Sequence, residues 1–454
     1  MSSLLIEEGH KVLIRMPSSN SKIVHIRSAT QKINLGKFGT FNASSLIGKP
    51  FNAAYDIQAD GNVAFVDPKS LLEELGEEID EDESSERNNS NLKDREENQK
   101  VTVEEIARLK KDMQEGKIAA TEIIKTLVNN NSSHDNKTKF AQLKFIKRKA
   151  RKYSKRFEAM EPTARNLCEY YFNTKPQKTR GIRVDSLAQI MCFANVMASS
   201  NILVCDSTGG LVLSALLERM THGDRDLGGR LFAMLDGDMP NFDIVKEMNT
   251  AEGVVERTID YLSWSRIEPV EGEGTDDSLV HNSHYLFPST LSEQPIAAPE
   301  TTDEKALERH TKKVAAIART RAARAKLAPT AFDGLIIVSQ FEVTDILAKL
   351  IPFVGYSRPV VVHSQYKEAL VPAYLMMRAS PDYVNAQITD TMTREYQVPV
   401  SGLGTHPFMT TSGTGGYILS ATRVYAGDGP LLTASAKKKM GMGQAAQTSK
   451  KRKL

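Results

Sequence analysis

The chain has 454 residues, 40% of them hydrophobic, so it is long enough for more than one domain and apolar enough to form real cores. Its three cysteines, Cys168, Cys192 and Cys205, show no Cys-x-x-Cys spacing. That argues against a disulfide framework or a zinc ribbon and suits a reducing compartment. The net charge of +3 hides a separation, because residues 73–86 hold nine of the 56 acidic residues and no basic one. The remainder, 59 basic against 47 acidic residues, predicts a surface that binds a polyanion.

The N-terminus has no basic-then-apolar leader, and no apolar run approaches the length needed to cross a bilayer. We therefore expect neither a secretion signal nor a membrane span.

Residues 1–72 are predicted to form a small β domain. Short strands are expected at 11–16, 22–27, 40–42, 53–58 and 62–66, with glycine- and proline-containing turns between them. Closely spaced short strands suggest a small β-barrel or a sandwich. A packing module is the simpler interpretation of this domain, and an RNA-binding barrel is the alternative.

Residues 73–100 are acidic and then rich in Asn and Ser, a composition that predicts a disordered linker. Residues 101–180 are predicted to be helical and strongly basic. The segment 137–156 holds ten Lys or Arg and no acid, and an apolar residue recurs every three or four positions through Phe157. So many like charges repel one another at i,i+4, which favours a polyanion ligand. A solvated basic face and a membrane-surface helix are the alternatives.

A second basic group, Lys175, Lys178, Arg180 and Arg183, precedes a predicted amphipathic helix. It fits phosphate contacts and ordinary surface charge equally well.

Residues 181–432 are predicted to form an α/β domain. It is organised around residues 201–217, in which an apolar strand leads into an acid, two glycines and an apolar helix. An S-adenosylmethionine site would follow the acid Asp206 with glycines at three alternate positions. Here those positions hold Thr208, Gly210 and Val212, so the cofactor loop is degenerate.

Further strands are expected at 230–235, 258–264 (or a short helix), 333–339 and 358–363, with a final pair at 394–400 and 416–423. Asp236 or Asp238 is either a remnant of a ribose-binding acid or a surface turn residue. The fourth strand ends at Ser339-Gln340-Phe341-Glu342, without the Asp or Asn and prolines with which nucleic-acid methyltransferases position a base. Glu342 is the only candidate there, and the helix dipole explains an acid at that place.

Three other segments complete the chain. Residues 268–303 are a predicted mobile insertion, and residues 304–327 are a basic helix that either contacts RNA or a partner or is merely exposed. The glycine-rich stretch 401–416 either cradles a phosphate or connects two strands. The basic tail, 433–454, ends in a run typical of a nuclear localisation signal and equally suited to nonspecific RNA binding.

Six stretches together resemble one family. They are LGKFGTF (35–41), KTKFAQLKFIKRKARKY (137–153), DSLAQIM (185–191), STGGLVLSALLERM (207–220), SRPVVVHSQYKEAL (357–370) and REYQVPVSGLGTHPFMTTSGTGGYIL (394–419). The chain resembles the non-catalytic subunit of the eukaryotic tRNA (adenine(58)-N(1))-methyltransferase.

This resemblance implies an N-terminal β-barrel, a Rossmann-like methyltransferase domain and a heterotetramer with two catalytic subunits, which bind S-adenosylmethionine; the nuclear location is predicted from the basic tail. It implies no catalytic, cofactor-binding or metal-binding residue in this chain. The residues implied to contact tRNA are Lys137, Thr138, Lys139, Phe140, Gln142, Lys144, Lys147, Arg148, Lys149, Arg151, Lys152, Lys178, Arg180, Arg183, Gln340, Lys367, Arg394, Tyr396, Gln397, His406, Ser412 and Gly413.

Two other functions remain open at this point. The first is an active RNA methyltransferase with an unusual loop, using Asp206 or Asp236 for the cofactor and Glu342 as base. The second is a non-enzymatic RNA-binding scaffold in translation.

Overall fold

The computed structural model describes residues 5–66 (without 19 and 59), 100–132 (without 115–117 and 119), 155–221, 228–267 (without 238), 304–397 and 405–425. Between 133 and 154 it describes Gln142, Phe145, Ile146, Arg148, Lys149 and Lys152. The predicted linker, insertion and tail lie almost wholly outside the described residues.

The N-terminal domain is built on a five-stranded antiparallel sheet. The strands of this sheet are β1 (Lys11–Arg15), β2 (Ser21–His25), β5 (Ala53–Ile57), β6 (Val63–Val66) and β7 (Arg156–Met160). A separate pair is formed by β3 (Lys32–Asn34) and β4 (Thr40–Asn42). The large sheet has the order β2-β1-β7-β5-β6, and β3 pairs only with β4. Among the described residues the sheet does not close on itself, so the predicted β-barrel is not confirmed.

Strand β7 corrects the prediction that the basic helix continues through Arg156 and Phe157. From Arg156 onward the pattern changes from helical spacing to strict alternation, with Phe157 and Ala159 buried and Glu158 exposed. Phe157 stacks on Phe41 with ring centroids 5.0 Å apart. A strand distant along the chain therefore completes the domain core. Arg156 of β7 pairs with Asp56 of β5, and 100 positions separate the two residues.

Two amphipathic helices precede the basic segment. They are α1 (Val103–Gln114) and α2 (Ala120–Asn129). The six residues described between 133 and 154 are all helical, and Ile146 is buried against Ile124 of α2. Ile146, one member of the predicted apolar row, thus packs on the protein.

The second domain is a doubly wound α/β sandwich. Its strands are β8 (Asn201–Asp206), β9 (Arg230–Leu235), β10 (Ile259–Ser263), β11 (Gly334–Val338), β12 (Arg358–Ser364), β13 (Tyr383–Asp390), β14 (Tyr396–Gln397), β15 (His406–Pro407) and β16 (Tyr417–Arg423). The seven-stranded sheet has the order β10-β9-β8-β11-β12-β16-β13. The first five strands are parallel and β16 is antiparallel to both neighbours. The strand order reverses between β8 and β11, which is where such sheets bind ligands.

Helices cover both faces of this sheet. They are α3 (Ala164–Thr174), α4 (Val184–Phe193), α5 (Leu211–Thr221), α6 (Val254–Thr258), α7 (Glu304–Lys326), α8 (Val343–Leu350) and α9 (Val371–Ala379). Strand β8 shows why two cores form, because Ile202 and Val204 enter one apolar cluster while Leu203 and Cys205 enter the other. Because β8 is buried on both faces, its sequence is a continuous apolar run, and this run predicted the strand.

The predicted pairing of 394–400 with 416–423 is wrong. Strand β16 pairs with β12 and β13, and the short strand β14 pairs with β15 instead. Strand β13 escaped prediction because its face is mostly exposed or half-buried, so its sequence, YVNAQITD, lacks a clear apolar alternation.

The two domains are joined by reciprocal hydrogen bonds. The Lys11 backbone N–H donates to Asn249 Oδ1 at 2.7 Å, and Asn249 Nδ2 donates to the Lys11 carbonyl at 2.8 Å. Arg15 Nη2 also donates to Glu169 Oε2 of α3 at 3.1 Å. Among the described helices, none is long and apolar enough to traverse a bilayer.

Candidate functional site

The loop that follows β8, residues 207–210, lies where a parallel sheet of this kind would hold a ligand. Asp206 turns its carboxylate into this loop, where it accepts the Thr208 hydroxyl and the backbone N–H groups of Thr208 and Leu213, the last two at 2.7 and 3.1 Å. The Thr208 hydroxyl in turn accepts the backbone N–H groups of Leu211 and Val212. The side chains of Asp206 and Thr208 therefore accept the backbone N–H groups of the first turn of α5. In a ligand-binding loop of this kind, those N–H groups usually bind an anion.

The outer side of the loop is covered by protein. A Cβ atom placed on Gly209 would lie 2.9 Å from Lys178 Cε, and one placed on Gly210 would lie 3.1 Å from Val245 Cγ2. The Ile244 backbone N–H donates to the Gly209 carbonyl at 3.0 Å. Both glycines have positive φ, +70° and +90°. The two glycines thus allow a left-handed turn and close packing of this chain's own residues.

Asp236, at the end of β9, faces the same loop. It accepts the Ser207 hydroxyl at 3.1 Å. Burial raises the pKa of Asp236, and the hydrogen bonds it accepts and the charge of Arg180 oppose that rise. Burial likewise raises the pKa of Asp206, against the hydrogen bonds from Thr208 and the backbone. Both carboxyls are engaged inside the chain, and Asp238 lies outside the described residues.

Arg180 and Gln340 are brought together by the fold, although 160 positions separate them. Arg180 Nη2 donates to Gln340 Oε1 at 2.5 Å, and Arg180 Nε donates to the Ser207 carbonyl at 3.4 Å. Arg180 has a left-handed backbone (φ +54°), which re-aims its side chain toward the end of the sheet. Lys367 follows β12 at the same edge and is exposed. The carboxyl ends of β8, β11 and β12 thus carry three of the residues that the resemblance assigned to tRNA, and we call this surface the carboxyl edge.

Lys178 lies beside the carboxyl edge and is half-buried. Its Nζ is 3.0 Å from Asp243 Oδ2 and lies over the Tyr171 ring, 5.3 Å from the centroid. The Lys178 ammonium lowers the pKa of Asp243 by hydrogen bonding and by its charge. Much of its positive charge is therefore balanced within the chain.

Arg183, Ser412 and Gly413 also converge, although more than 200 positions separate them. Arg183 binds Asp185 through two hydrogen bonds of 2.6 and 2.7 Å, and it donates to Ser412 Oγ, the Gly413 carbonyl and the Thr391 carbonyl. All three guanidinium nitrogens are engaged with protein acceptors. Its role as a tRNA contact stays a prediction, and what the structure gives Arg183 is the task of anchoring the segment 391–416.

The glycines that follow pack against the same region. A Cβ on Gly415 would lie 2.3 Å from Ser186 Oγ, and one on Gly416 would lie 2.3 Å from His363 Nε2. His363 is buried and makes a 2.9 Å hydrogen bond to the Gly415 carbonyl. Burial lowers the pKa of His363 to about 4. Of the two interpretations of the glycine-rich stretch, this close packing favours a connection between strands.

The remaining predicted residues of this region lie on or beside the paired strands β14 and β15, which we call the hairpin. Tyr396 pairs with Pro407 and Gln397 with His406. The guanidinium of Arg394 closes the base of the hairpin, with Nε and Nη2 3.3 and 3.2 Å from the Phe408 carbonyl. The structure therefore brings Arg394, Tyr396, Gln397 and His406 together, at the end of the segment that Arg183 anchors.

The basic segment is described only in part. Arg148 and Lys152 are exposed, Gln142 is half-buried, and Lys149 Nζ lies 5.0 Å from the Phe145 ring centroid. The predicted residues that lie outside the described part of the chain are Lys137, Thr138, Lys139, Phe140, Lys144, Lys147 and Arg151.

Sequence reasoning missed Asp185, Thr391 and the Ile244 segment. An acid two positions after Arg183 signalled a local ion pair, since a buried guanidinium needs a carboxylate. Nothing in the sequence placed Thr391 or Ile244, because their partners are distant along the chain. Within the described ranges no group of three or more His, Cys, Asp or Glu side chains is arranged to hold a metal ion.

Named relatives cover nearly the whole chain. A protein of Debaryomyces hansenii called "tRNA (adenine(58)-N(1))-methyltransferase non-catalytic subunit TRM6" is 28% identical over 445 residues, which is 93% of this chain and 88% of the relative. The Mus musculus protein of that name is 28% identical over 434 residues, which is 85% of this chain and 82% of the relative.

A sequence model of the Gcd10p family matches residues 5–308, which is more than half of the chain. Among solved structures, a tRNA (m1A58) methyltransferase from Aquifex aeolicus aligns with 93% of this chain and 99% of its own length, at 10% identity and a TM-score of 0.44. The family match spans both the N-terminal sheet and the first strands of the α/β domain, and on this ground the chain belongs to the Gcd10p family.

Proposed function

We propose that this chain is the tRNA-binding, non-catalytic subunit of a complex that methylates N1 of the T-loop adenosine at position 58 of tRNA. In this proposal a catalytic partner binds S-adenosylmethionine and carries out methyl transfer, and this chain helps to hold the substrate. Two copies of each subunit form a heterotetramer in the nucleus. The names of the relatives support the assignment to a methyltransferase complex.

The observation that carries the non-catalytic role is the closed loop after β8. A bound cofactor needs the loop backbone exposed, so that glycines can approach it closely. Here Lys178 and the Ile244 segment lie on Gly209 and Gly210, and Thr208 fills a position that a cofactor loop gives to glycine. The residues present do not fit S-adenosylmethionine, and no methylation step is assigned to them.

The tRNA-binding role is supported by the cations that the fold collects. Arg180 and Lys367 are at the carboxyl edge, Arg394 is at the base of the hairpin, and Arg148 and Lys152 are on the basic segment. A folded tRNA presents phosphates over a wide surface, so separated basic groups on the basic segment and on the α/β domain suit it. Access to a stacked base costs a few kcal/mol, which binding energy from a second subunit can help to supply.

The proposal is tested by co-expressing the chain with its catalytic partner and assaying each subunit alone and together. S-adenosylmethionine binding is measured by calorimetry, and methylation is measured on a tRNA transcript. The chain alone should bind no methyl donor and methylate no tRNA, whereas the assembled complex should bind the methyl donor and methylate the transcript. Micromolar methyl-donor binding or any turnover by the chain alone would overturn the non-catalytic role.

The variants Asp236→Asn and Arg180→Gln/Lys367→Gln separate the two parts of the proposal. In the complex, Asp236→Asn should leave methylation unchanged, because the proposal gives the Asp236 carboxyl no contact with a cofactor ribose. Arg180→Gln/Lys367→Gln should weaken tRNA binding and lower its salt dependence, since two phosphate contacts are lost. If no substitution in this chain changes tRNA affinity, the substrate-holding role fails.

A further inference from the structure

The N-terminal half of helix α7 extends away from the α/β domain. Its C-terminal half packs against the outer strand β10, where Ile317 and Ala323 are buried. Arg319 Nη1 donates to the Tyr261 hydroxyl and Lys326 Nζ bonds both Asp260 oxygens at 2.7 Å. By contrast, none of residues 305–315 is buried. About half of this 23-residue helix therefore extends beyond the surface that supports it.

The face that packs on the domain becomes cationic where the helix extends beyond it. Lys305, Arg309, Lys313 and Ile317 follow one another at steps of four residues, and each step turns the helix by only about 40°. Buried Ile317 thus lies at the end of a row whose three preceding members are cations. Lys305 and Lys313 are about 12 Å apart along the axis.

Little negative charge lies beside Arg309 and Lys313 on the helix itself. Glu308, the only acid between 305 and 326, lies 2.5 Å from Lys312. Arg309 and Lys313 form no ion pair with any other residue that the structure describes. Like charges at i,i+4 destabilise an isolated helix by a few tenths of a kcal/mol per pair. The row is therefore less stable alone than when a polyanion lies beside it.

We propose that Arg309 and Lys313, which we call the α7 cation row, bind the phosphate backbone of the tRNA beside the β10 edge of the domain. This rests on the proposed function and extends the tRNA-binding surface to the edge of the sheet opposite β13. The cores of protein interfaces are depleted of charged residues, and the exposed apolar side chains of this half, Leu307 and Val314, lie on the other side of the helix. A row of cations without interleaved apolar residues fits a nucleic-acid backbone better than a protein partner.

The experiment uses the assembled complex of this chain with its catalytic subunit. The Kd for a tRNA transcript is measured by fluorescence anisotropy between about 50 and 200 mM salt, a range in which phosphate contacts dominate the change in affinity. The test variant is Arg309→Gln/Lys313→Gln. The control is Lys312→Gln/Lys326→Gln, which removes the same charge from the same helix, but at residues bound to Glu308 and Asp260. Gln retains the high helix propensity of Lys and Arg, so both variants preserve the helix.

The test variant should bind tRNA several-fold more weakly and reduce the slope of log affinity against log salt by roughly 1 per cation, while the control keeps the wild-type slope. Equal slopes for the two variants would overturn the proposal, because the effect would then be long-range charge alone. Release of the catalytic subunit by the test variant would also overturn it, in favour of a protein contact. A wild-type slope in Arg309→Gln/Lys313→Gln would overturn the inference about the cation row. A reduced slope in Arg180→Gln/Lys367→Gln would then show that the proposed function still holds. If neither variant changes binding, the cation row and the carboxyl edge are both excluded as tRNA contacts, and the inference is overturned.

Discussion

Arg183 and Asp185 form a bidentate ion pair, with Arg183 Nε 2.6 Å from Asp185 Oδ1 and Nη2 2.7 Å from Oδ2. The pair lies at the base of the segment 391–416, to which Arg183 donates through Thr391, Ser412 and Gly413. The Arg183 hydrogen bonds and charge, with those of Thr393 and Thr391, hold the pKa of Asp185 far below its usual range despite its burial. Two residues on α4 and its N-cap therefore position the hairpin that carries Tyr396 and His406.

The variant Asp185→Asn should destabilise the chain by about 3 kcal/mol, because removing one partner leaves a mostly buried guanidinium without its counter-charge. It should also weaken tRNA binding, since the hairpin and Arg394 at its base are displaced. Chemical denaturation and anisotropy measure the two effects. Lys312→Gln, which breaks the exposed pair with Glu308, should cost only about 0.3 kcal/mol. An unchanged tRNA affinity in Asp185→Asn would contradict the positioning role.

Restoring the glycine pattern of the loop should not restore a cofactor site. In Thr208→Gly/Val212→Gly the glycine order of a methyl-donor loop is complete, but Lys178 and the Ile244 segment still cover it. We expect no S-adenosylmethionine binding by calorimetry. We also expect a loss of stability of about 1 kcal/mol or more, because the Thr208 hydroxyl caps α5 and Val212 is fully buried. Measurable binding would show that Thr208 and Val212 alone block the site.

Local patterns predicted most of the α/β domain. Buried parallel strands such as β8 and β11 are continuous apolar runs, so their positions followed from the sequence alone. Strand β7 was missed because the basic segment before it has helical spacing, and only pairing with β1 and β5 selects the extended form. Phe157 fits a helical row as well as it fits an alternating strand.

The candidate site was less predictable than the fold. Arg180 and Arg183 were expected to contact phosphates, but nothing local indicates that one meets Gln340 and the other Ser412. These contacts depend on which strands become neighbours, and a strand order with a crossover joins residues more than 150 positions apart. Charge patterns predict that a surface is basic, whereas its partners are set by the topology.

Gln340 should orient Arg180 rather than bind tRNA itself. Because Arg180 Nη2 donates to Gln340 Oε1, removing the amide releases the guanidinium without removing its charge. Gln340→Ala should therefore weaken tRNA binding by less than about tenfold and leave the salt slope unchanged, while Arg180→Gln lowers the slope by roughly 1. Anisotropy on both single variants and the double variant gives the coupling energy, which should be about 1 kcal/mol. Additive effects would show that the two residues act independently.

The strand β7 should be essential for the N-terminal domain although it is distant along the chain. Phe157 is 1% exposed and packs on Phe41 and Tyr55. Phe157→Ala should reduce the free energy of unfolding by about 3–5 kcal/mol, the range for a large buried side chain. The matched control is Phe65→Ala, since Phe65 is 60% exposed on the edge strand β6 and should cost much less. Similar losses in the two variants would contradict the central position of β7.

His363 should make the α/β domain sensitive to acid. Its side chain is 1% exposed, and burial lowers its pKa from 6.5 to about 4. Between these values the unfolded chain binds a proton that the folded chain does not, so the contribution of this group to stability is complete above pH 6.5 and falls as the pH drops toward 4. From pH 7 to pH 5 the loss should be about 2 kcal/mol. In His363→Gln, whose amide can still donate to the Gly415 carbonyl, this part of the pH dependence should disappear from urea denaturation curves. The exposed His25→Gln should retain it, and an equal pH dependence in wild type and His363→Gln would mean that His363 is protonated in the folded state at pH 5.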